Sequence, residues 1–196
     1  MALIGLMAIK GSGKTTSAAY LVEKYGFIEK PFAECLKKAC QNLFLLGDEQ
    51  ILGSQEQKET PDNRWFGCTP RKMVQFVGTD LLRDRLDEIM PGLGKNIFVH
   101  HFMLWYSEEL LKNPNIRVVI SDVRFQNEIE FIQSLGGTVI KIEKAGLDTS
   151  DMHQSELELQ NIETYDCLIE NNYAIEYLYL DIDRAICRNL GIAPIQ

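Results

Sequence analysis

The sequence predicts an α/β protein with a mainly parallel sheet of about five strands, flanked by helices. Short apolar runs alternate along the chain with stretches of helical periodicity. One run, RVVIS at 117–121, has a β-branched apolar centre with polar ends, which is typical of a strand buried on both faces. Strands that alternate with helices form right-handed crossovers, so the binding crevice is expected at the carboxyl ends of the strands.

The strands are predicted from apolar runs that end at polar or glycine residues. The first precedes a glycine-rich turn, the second is short, the third is RVVIS, the fourth is TVIKI and the last is weak. They cover 2–9, 27–29, 117–121, 138–142 and 166–169.

The helices are predicted from apolar spacing and from their start and stop residues. The first stops at Gly26, and a later one begins at Thr69 and Pro70, a capping hydroxyl followed by proline at the first helical position. Others stop before Pro114 and at Gly136. The predicted helices cover 15–24, 33–46, 70–86, 97–112, 125–135 and 174–190, and the polar segment 47–68 is expected to form loops and short helices.

Composition indicates a globular intracellular protein of one domain. The 196 residues are 45% hydrophobic and 24% charged, without an apolar run near the roughly 20 residues of a membrane span. The apolar start lacks a preceding basic segment, so we expect a cytoplasmic location and no membrane partner. The five cysteines are scattered without a C-x-x-C pair, which disfavours disulfides and a zinc site. A net charge of −8 disfavours polynucleotide partners.

The stretch AIKGSGKTT (8–16) resembles a phosphate-binding loop between a strand and a helix. Ala8 stands where the first glycine of G-x-x-x-x-G-K-[ST] belongs, and alanine can serve there if its φ stays negative. Lys14 would reach the β- and γ-phosphates of ATP, and Thr15 would bind Mg²⁺. The alternative is a plain glycine turn. The predicted ATP-binding residues are Lys10, Gly11, Ser12, Gly13, Lys14, Thr15 and Thr16.

The stretch SDVRFQNE (121–128) follows the buried strand, so Asp122 is expected at the carboxyl edge of the sheet. An acidic residue there orients the magnesium shell or the substrate, and the planar fork of Arg124 matches phosphate oxygens. The alternative for Asp122 is a helix cap.

The stretch TPRKMVQFVGTDLLR (69–83) carries a polar stripe on a helix. Arg71 and Gln75 share a face, as do Gln75 and Thr79. Arg71 offers a cation to an acceptor phosphate, and Gln75 offers an amide to a base edge. The alternative is a solvated helix face. A third polar stretch, HQSELE (153–158), lies where small phosphotransferases carry a closing lid, although His153 alone is also an ordinary surface residue.

Together, AIKGSGKTT, KETPDNRWFGCTPRKMVQFVGTDLLR, ISDVRFQNE and HQSE resemble the deoxynucleoside monophosphate kinases of phages and large DNA viruses. The resemblance implies a three-layer P-loop fold, ATP and Mg²⁺ as cofactors, transfer of the γ-phosphoryl to a dNMP, and often a homodimer. It also implies an NMP-binding region at about 33–95 and a lid at about 144–165. Carried over by position, the implied catalytic residues are Lys14, Arg71, Asp122 and Arg124, with Asp122 in the outer shell of the metal. The implied substrate-binding residues are Arg71, Gln75, Asp80, Arg124, Glu128, His153 and Glu156, with Ser155 also in the lid.

The lid segment departs from related kinases, because 144–183 contains no arginine. Positive charge at the transferring phosphoryl must then come from elsewhere, first from Arg124 and next from Arg71, Arg64 or Lys10.

Two other functions are compatible with the sequence. One is a related small-molecule kinase of the phosphomevalonate or dephospho-CoA type; an isoprenoid phosphate would have no base edge for Gln75 to recognise. The other is a nucleotide-dependent switch that uses ATP without phosphorylating a small molecule.

Overall fold

The computed structural model describes residues 1–147, 159 and 161–193. Five strands form one parallel sheet in the order β2-β3-β1-β4-β5. They are β1 (Ala2–Met7), β2 (Ile28–Glu29), β3 (Arg117–Val123), β4 (Thr138–Glu143) and β5 (Cys167–Glu170). The predicted parallel five-stranded sheet is therefore confirmed. The third strand continues two residues beyond its predicted end, through Val123.

The α-helices of the described residues follow the predicted order. They are α1 (Lys14–Tyr25), α2 (Glu34–Leu43), α3 (Asp48–Leu52), α4 (Gln55–Glu59), α5 (Pro70–Gln75), α6 (Ile97–Lys112), α7 (Gln126–Ser134) and α8 (Ile175–Leu190). Short 3₁₀ helices cover Asn63–Trp65, Leu86–Glu88 and Gly94–Asn96, and a π-helix covers Phe76–Arg83. Within the described ranges, no helix is long and apolar enough to cross a bilayer.

The chain divides into two compact units. The first comprises 1–31 and 106–196 and contains the whole sheet. The second comprises 32–105 and is helical in its regular elements. The range 33–95, predicted as the NMP-binding region, falls within the second unit.

The core of the first unit forms because β1 is buried along its entire length. Its side chains pack with those of β4, β5, α1 and α8. The main members of this cluster are Ile4, Leu6, Leu21, Ile140, Ile142, Ile169 and Ile182, each no more than 3% exposed. Packing on this scale stabilises a fold by roughly 1.5–3 kcal/mol per fully buried aliphatic side chain.

A polar cluster joins α1 to α8 at the edge of this core. Tyr20 and Tyr25 each donate a hydrogen bond to Asp183 Oδ1, at 2.8 and 2.7 Å, and Lys24 Nζ lies 2.8 Å from Asp183 Oδ2. Burial by itself raises the pKa of Asp183, but the hydrogen bonds from Lys24, Tyr25 and Tyr20 outweigh it and lower the pKa. The carboxylate therefore stays ionised and holds α1 in place.

Candidate active site

The loop between β1 and α1 turns on two glycines in left-handed conformations. Gly11 has φ +86° and Gly13 has φ +102°, values that favour glycine. Ala8 is buried, 4% exposed, and does not have a positive φ. Alanine therefore replaces the first glycine of the motif without backbone strain, as the sequence analysis required.

Asn171, directly after β5, fixes the path of this loop. Its Nδ2 donates to the carbonyl of Ser12 at 2.9 Å, and its backbone N–H donates to Glu143 at 2.7 Å. A Cβ on Gly13 would lie 2.5 Å from Asn171 Nδ2. The loop therefore takes its shape from the residue that follows β5, which lies 159 residues further along the chain than Ser12.

The loop fits a polyphosphate. Gly13 provides no side-chain cap, and the first turn of α1 contains no acidic residue, so the helix does not compensate its own positive end. Ser12 Oγ is buried and has no hydrogen-bond partner among the described residues. Thr15 is exposed at the second position of α1, which suits a hydroxyl ligand of a phosphate-bound Mg²⁺. Lys10 is exposed as well.

Replacing Gly13 by alanine is expected to impair ATP binding. The left-handed conformation should cost roughly 1–3 kcal/mol for a non-glycine residue, and the new methyl group would displace Asn171. Gly136→Ala is a matched control, since Gly136 has φ +71° but open space around its Cα. Thermal unfolding with and without ATP·Mg²⁺ should show a normal ligand-induced rise in Tm for the control and a reduced rise for Gly13→Ala. Equal rises in both variants would contradict the role of Gly13.

At the end of β3, Asp122 and Arg124 are both half-buried. The strand β3 pairs with β1, so both residues lie beside the strand that leads into the loop. The backbone N–H of Arg124 donates to Glu128 Oε2 at 2.8 Å, and the N–H of Phe125 donates to the same oxygen at 3.3 Å. Glu128 is only 1% exposed. Its carboxylate holds the backbone at Arg124, and its predicted contact with substrate stays a prediction.

A cavity of about 360 Å³ opens in the first unit beside the ends of β4 and β5. Its lining combines apolar and charged side chains, and Ile9 links it to the phosphate loop. Its lining includes Ile9, Ile142, Ala145, Leu159 and Asn172.

In the second unit, α5 begins as predicted. Thr69 Oγ1 accepts from the N–H of Lys72 at 3.3 Å, and Pro70 follows at the first helical position. The predicted helix 70–86 is helical in the structure, but its geometry changes, because α5 ends at Gln75 and a π-helix follows. Hydrogen bonds five residues apart place Asp80 over Gln75. In a continuous α-helix Asp80 would point about 140° away from Gln75.

Gly78 lies in the π-helix at a point where a side chain would not fit. A Cβ at this position would lie 2.5 Å from Leu36 Cδ2, so the glycine permits close approach of α2. The predicted residues Arg71, Gln75 and Asp80 are carried on one helical segment, which also packs on α2.

Arg64 is held by other residues of its own unit. Its Nε and Nη2 bind Asp62, and its Nη1 donates to the carbonyl of Leu45. The guanidinium, with Gln50, lowers the pKa of the Asp62 carboxyl well below its usual range. Trp65 donates a hydrogen bond from Nε1 to the carbonyl of Phe44 at 2.7 Å and packs on the core of this unit. Arg64 and Trp65 are thus each held by residues of the same unit.

Comparison with known proteins identifies the family. The family model for deoxynucleotide monophosphate kinase matches residues 55–182. A protein of Acanthamoeba polyphaga mimivirus assigned as a deoxynucleotide monophosphate kinase is 65% identical over 182 residues, which are 93% of this chain and 94% of the relative. The chain belongs to the deoxynucleotide monophosphate kinase family. It is therefore an enzyme of the kinase class, and the resemblance drawn from the motifs is confirmed.

More distant members of the deoxynucleotide monophosphate kinase family are also similar. The enzyme of Enterobacteria phage T4 is 27% identical, covering 95% of this chain and 99% of its own. That of Escherichia phage RB69 is 29% identical over 116 residues, 59% of this chain and 44% of its own. Among solved structures, dephospho-CoA kinase from Campylobacter jejuni matches with a TM-score of 0.53 at 13% identity, covering 96% of this chain and 98% of its own. That likeness concerns the fold alone and agrees with the predicted three-layer P-loop architecture.

The lid residues predicted for this family member lie outside the described residues, namely His153, Ser155 and Glu156. Lys141, which precedes these residues in the sequence, holds the segment at Ile162 that leads back to β5. Lys141 is buried on β4, donates to the carbonyl of Ile162 at 3.2 Å and lies over the ring of Tyr165. Sequence reasoning missed it, although a lysine in the middle of the apolar strand TVIKI was a visible signal.

Proposed function

We propose that this chain transfers the γ-phosphoryl group of ATP, as its Mg²⁺ complex, to a deoxynucleoside 5′-monophosphate, giving ADP and dNDP. The observation that carries the proposal is the phosphate loop, with two left-handed glycines and an uncapped helix start, in a member of this family. Phosphoryl transfer needs alignment and charge neutralisation more than covalent participation by the protein. Lys14 beside the loop and Arg124 at the end of β3 supply the positive charge that neutralises the phosphoryl oxygens.

The first unit is proposed as the donor-binding unit. Loop N–H groups and Lys14 would hold the β- and γ-phosphates, Thr15 would contact Mg²⁺, and Asp122 would orient its water shell. The 360 Å³ cavity would take the nucleoside of ATP, since its volume lies in the range of small-ligand sites and Ile142 and Leu159 offer apolar contact. Bound Mg²⁺ would neutralise charge on the transferring phosphoryl group.

The second unit is proposed as the acceptor-binding unit. Arg71 would bind the acceptor phosphate through its planar fork, and Gln75 would recognise a base edge. The π-helical register supports a role for Asp80 on the same face as Gln75, where a carboxylate accepts hydrogen bonds from a base or sugar. The homodimer and the cytoplasmic location expected from the sequence remain predictions.

The test is an ADP-release assay with ATP·Mg²⁺ against dNMPs, NMPs, phosphomevalonate and dephospho-CoA. We expect ADP release that depends on dNMP and identification of the dNDP product by chromatography. Release that depends only on phosphomevalonate or dephospho-CoA would overturn the choice of acceptor. Release without dependence on any acceptor would favour a nucleotide-dependent switch.

A further inference from the structure

Two residues of α4 contact one edge of the Arg71 guanidinium. Arg71 Nε lies 2.5 Å from Glu59 Oε1, and Arg71 Nη2 donates to Gln55 Oε1. The Nε atom is buried under this ion pair, although its N–H is not aligned with an oxygen as a hydrogen bond. Gln55 and Glu59 are four residues apart, so they lie one turn apart on the same face of α4. The helix therefore presents two acceptors to the same arginine.

These contacts occupy the Nε–Nη2 side of the Arg71 guanidinium and do not involve its terminal Nη1–Nη2 edge. A guanidinium carries five N–H groups in one plane, and two adjacent ones can bind a phosphate. Within the described part of the chain, Arg71 Nη1 has no hydrogen-bond or ion-pair partner. The terminal edge, formed by Nη1 and the second N–H of Nη2, thus has the geometry required for two parallel bonds to an anion.

The helix α4 contributes little else to its unit. None of its residues is buried, and Ser54 caps it through a hydrogen bond from Gln57. Further along the chain, Asp62 is held by its ion pair with Arg64. A surface helix without an apolar face gains little from core packing, so its contacts with Arg71 point to a function.

We propose that Glu59 and Gln55 are positioning residues, which hold Arg71 so that its terminal edge receives the acceptor phosphate. The inference rests on the proposed function of this site. Glu59 also offsets part of the positive charge of Arg71, but the two side chains are 28% and 41% exposed, so this electrostatic effect is screened by water. Orientation of the fork should dominate, because bidentate binding depends on the plane of the guanidinium.

The test uses Glu59→Ala and Glu59→Gln, with Glu56→Ala as the matched control on the same helix. Initial rates are measured with the dNMP varied at saturating ATP, and with ATP varied at saturating dNMP. For Glu59→Ala we expect the KM for dNMP to rise about tenfold and the KM for ATP to stay within about twofold. Glu59→Gln keeps an acceptor oxygen, so its KM for dNMP should stay within about threefold of the wild type. Glu56→Ala should behave as the wild type.

The outcomes separate the inference from the function on which it rests. A wild-type chain without dNMP-dependent ADP release would overturn both. With an active wild type, an unchanged KM for dNMP in Glu59→Ala would overturn the positioning role alone. A lowered KM for dNMP would do the same, because Glu59 would then compete with the phosphate. Equal increases in both KM values would indicate a general structural defect and also contradict the inference.

Discussion

Replacing Lys14 by alanine is expected to lower kcat by about 10²-fold or more, equivalent to about 2.7 kcal/mol of transition-state stabilisation. Lys14 is the first residue of α1, directly after Gly13, and the first turn of this helix contains no acidic residue. A cation at this place neutralises charge that spreads over the phosphoryl oxygens during transfer. The loss should therefore appear in kcat more than in stability.

The experiment compares turnover at saturating ATP and dNMP with thermal unfolding of the same variant. Lys112→Ala is a suitable control, because Lys112 pairs with Glu109 at the end of α6. It removes the same charge and should leave kcat unchanged. Near-normal turnover of Lys14→Ala would refute the assignment of Lys14.

The second large effect is expected for Arg124→Ala, with kcat again reduced about 10²-fold or more. The segment that carries the lid in related kinases has no arginine in this chain, so a cation from elsewhere must serve the transferring phosphoryl group. Arg124 follows β3 immediately, and Glu128 holds its backbone N–H at 2.8 Å. A rigid backbone at this residue restricts where the guanidinium can lie. A preorganised cation stabilises the charge of the transition state more than a mobile one does.

Arg124→Lys tests whether charge or geometry matters. Lysine keeps the positive charge but lacks the planar fork, so we expect only partial recovery of kcat. Arg184→Ala removes a cation that pairs with Asp181 on α8 and should have normal activity. If Arg124→Ala retained wild-type kcat, Arg71 or Lys10 would become the leading candidate for that charge.

The regular elements of the first unit could be predicted because their signals are local. Apolar runs of strand length marked β1, β3 and β4, and glycines marked the ends of α1 and α7. The helix at 97–112 was predicted at the observed bounds. The phosphate loop was equally visible, since its chemistry requires a short and specific order of glycines, a lysine and a hydroxyl.

The roles of individual polar residues were harder to predict. Arg64 and Arg71 have the same chemistry in the sequence, yet Arg64 binds Asp62 and the carbonyl of Leu45, whereas Arg71 contacts α4 by one edge only. Glu128 is predicted from the sequence as a substrate contact, and the sequence did not show that its carboxylate is buried at the start of α7, where it accepts a hydrogen bond from the backbone of Arg124. Such differences depend on which partners folding brings near, and pattern alone carries no information about them.

The sequence by itself determined the alternation of strands and helices, the parallel sheet, the phosphate loop and the family. These features depend on periodicity and on residues close together in the chain. Only the tertiary structure decided that Asn171 shapes the loop from beyond β5, that a π-helix follows Gln75, and that Glu59 and Gln55 contact Arg71. The physical reason is that hydrogen bonds and ion pairs form between groups that folding brings into contact, and their energies depend on distance and orientation in space.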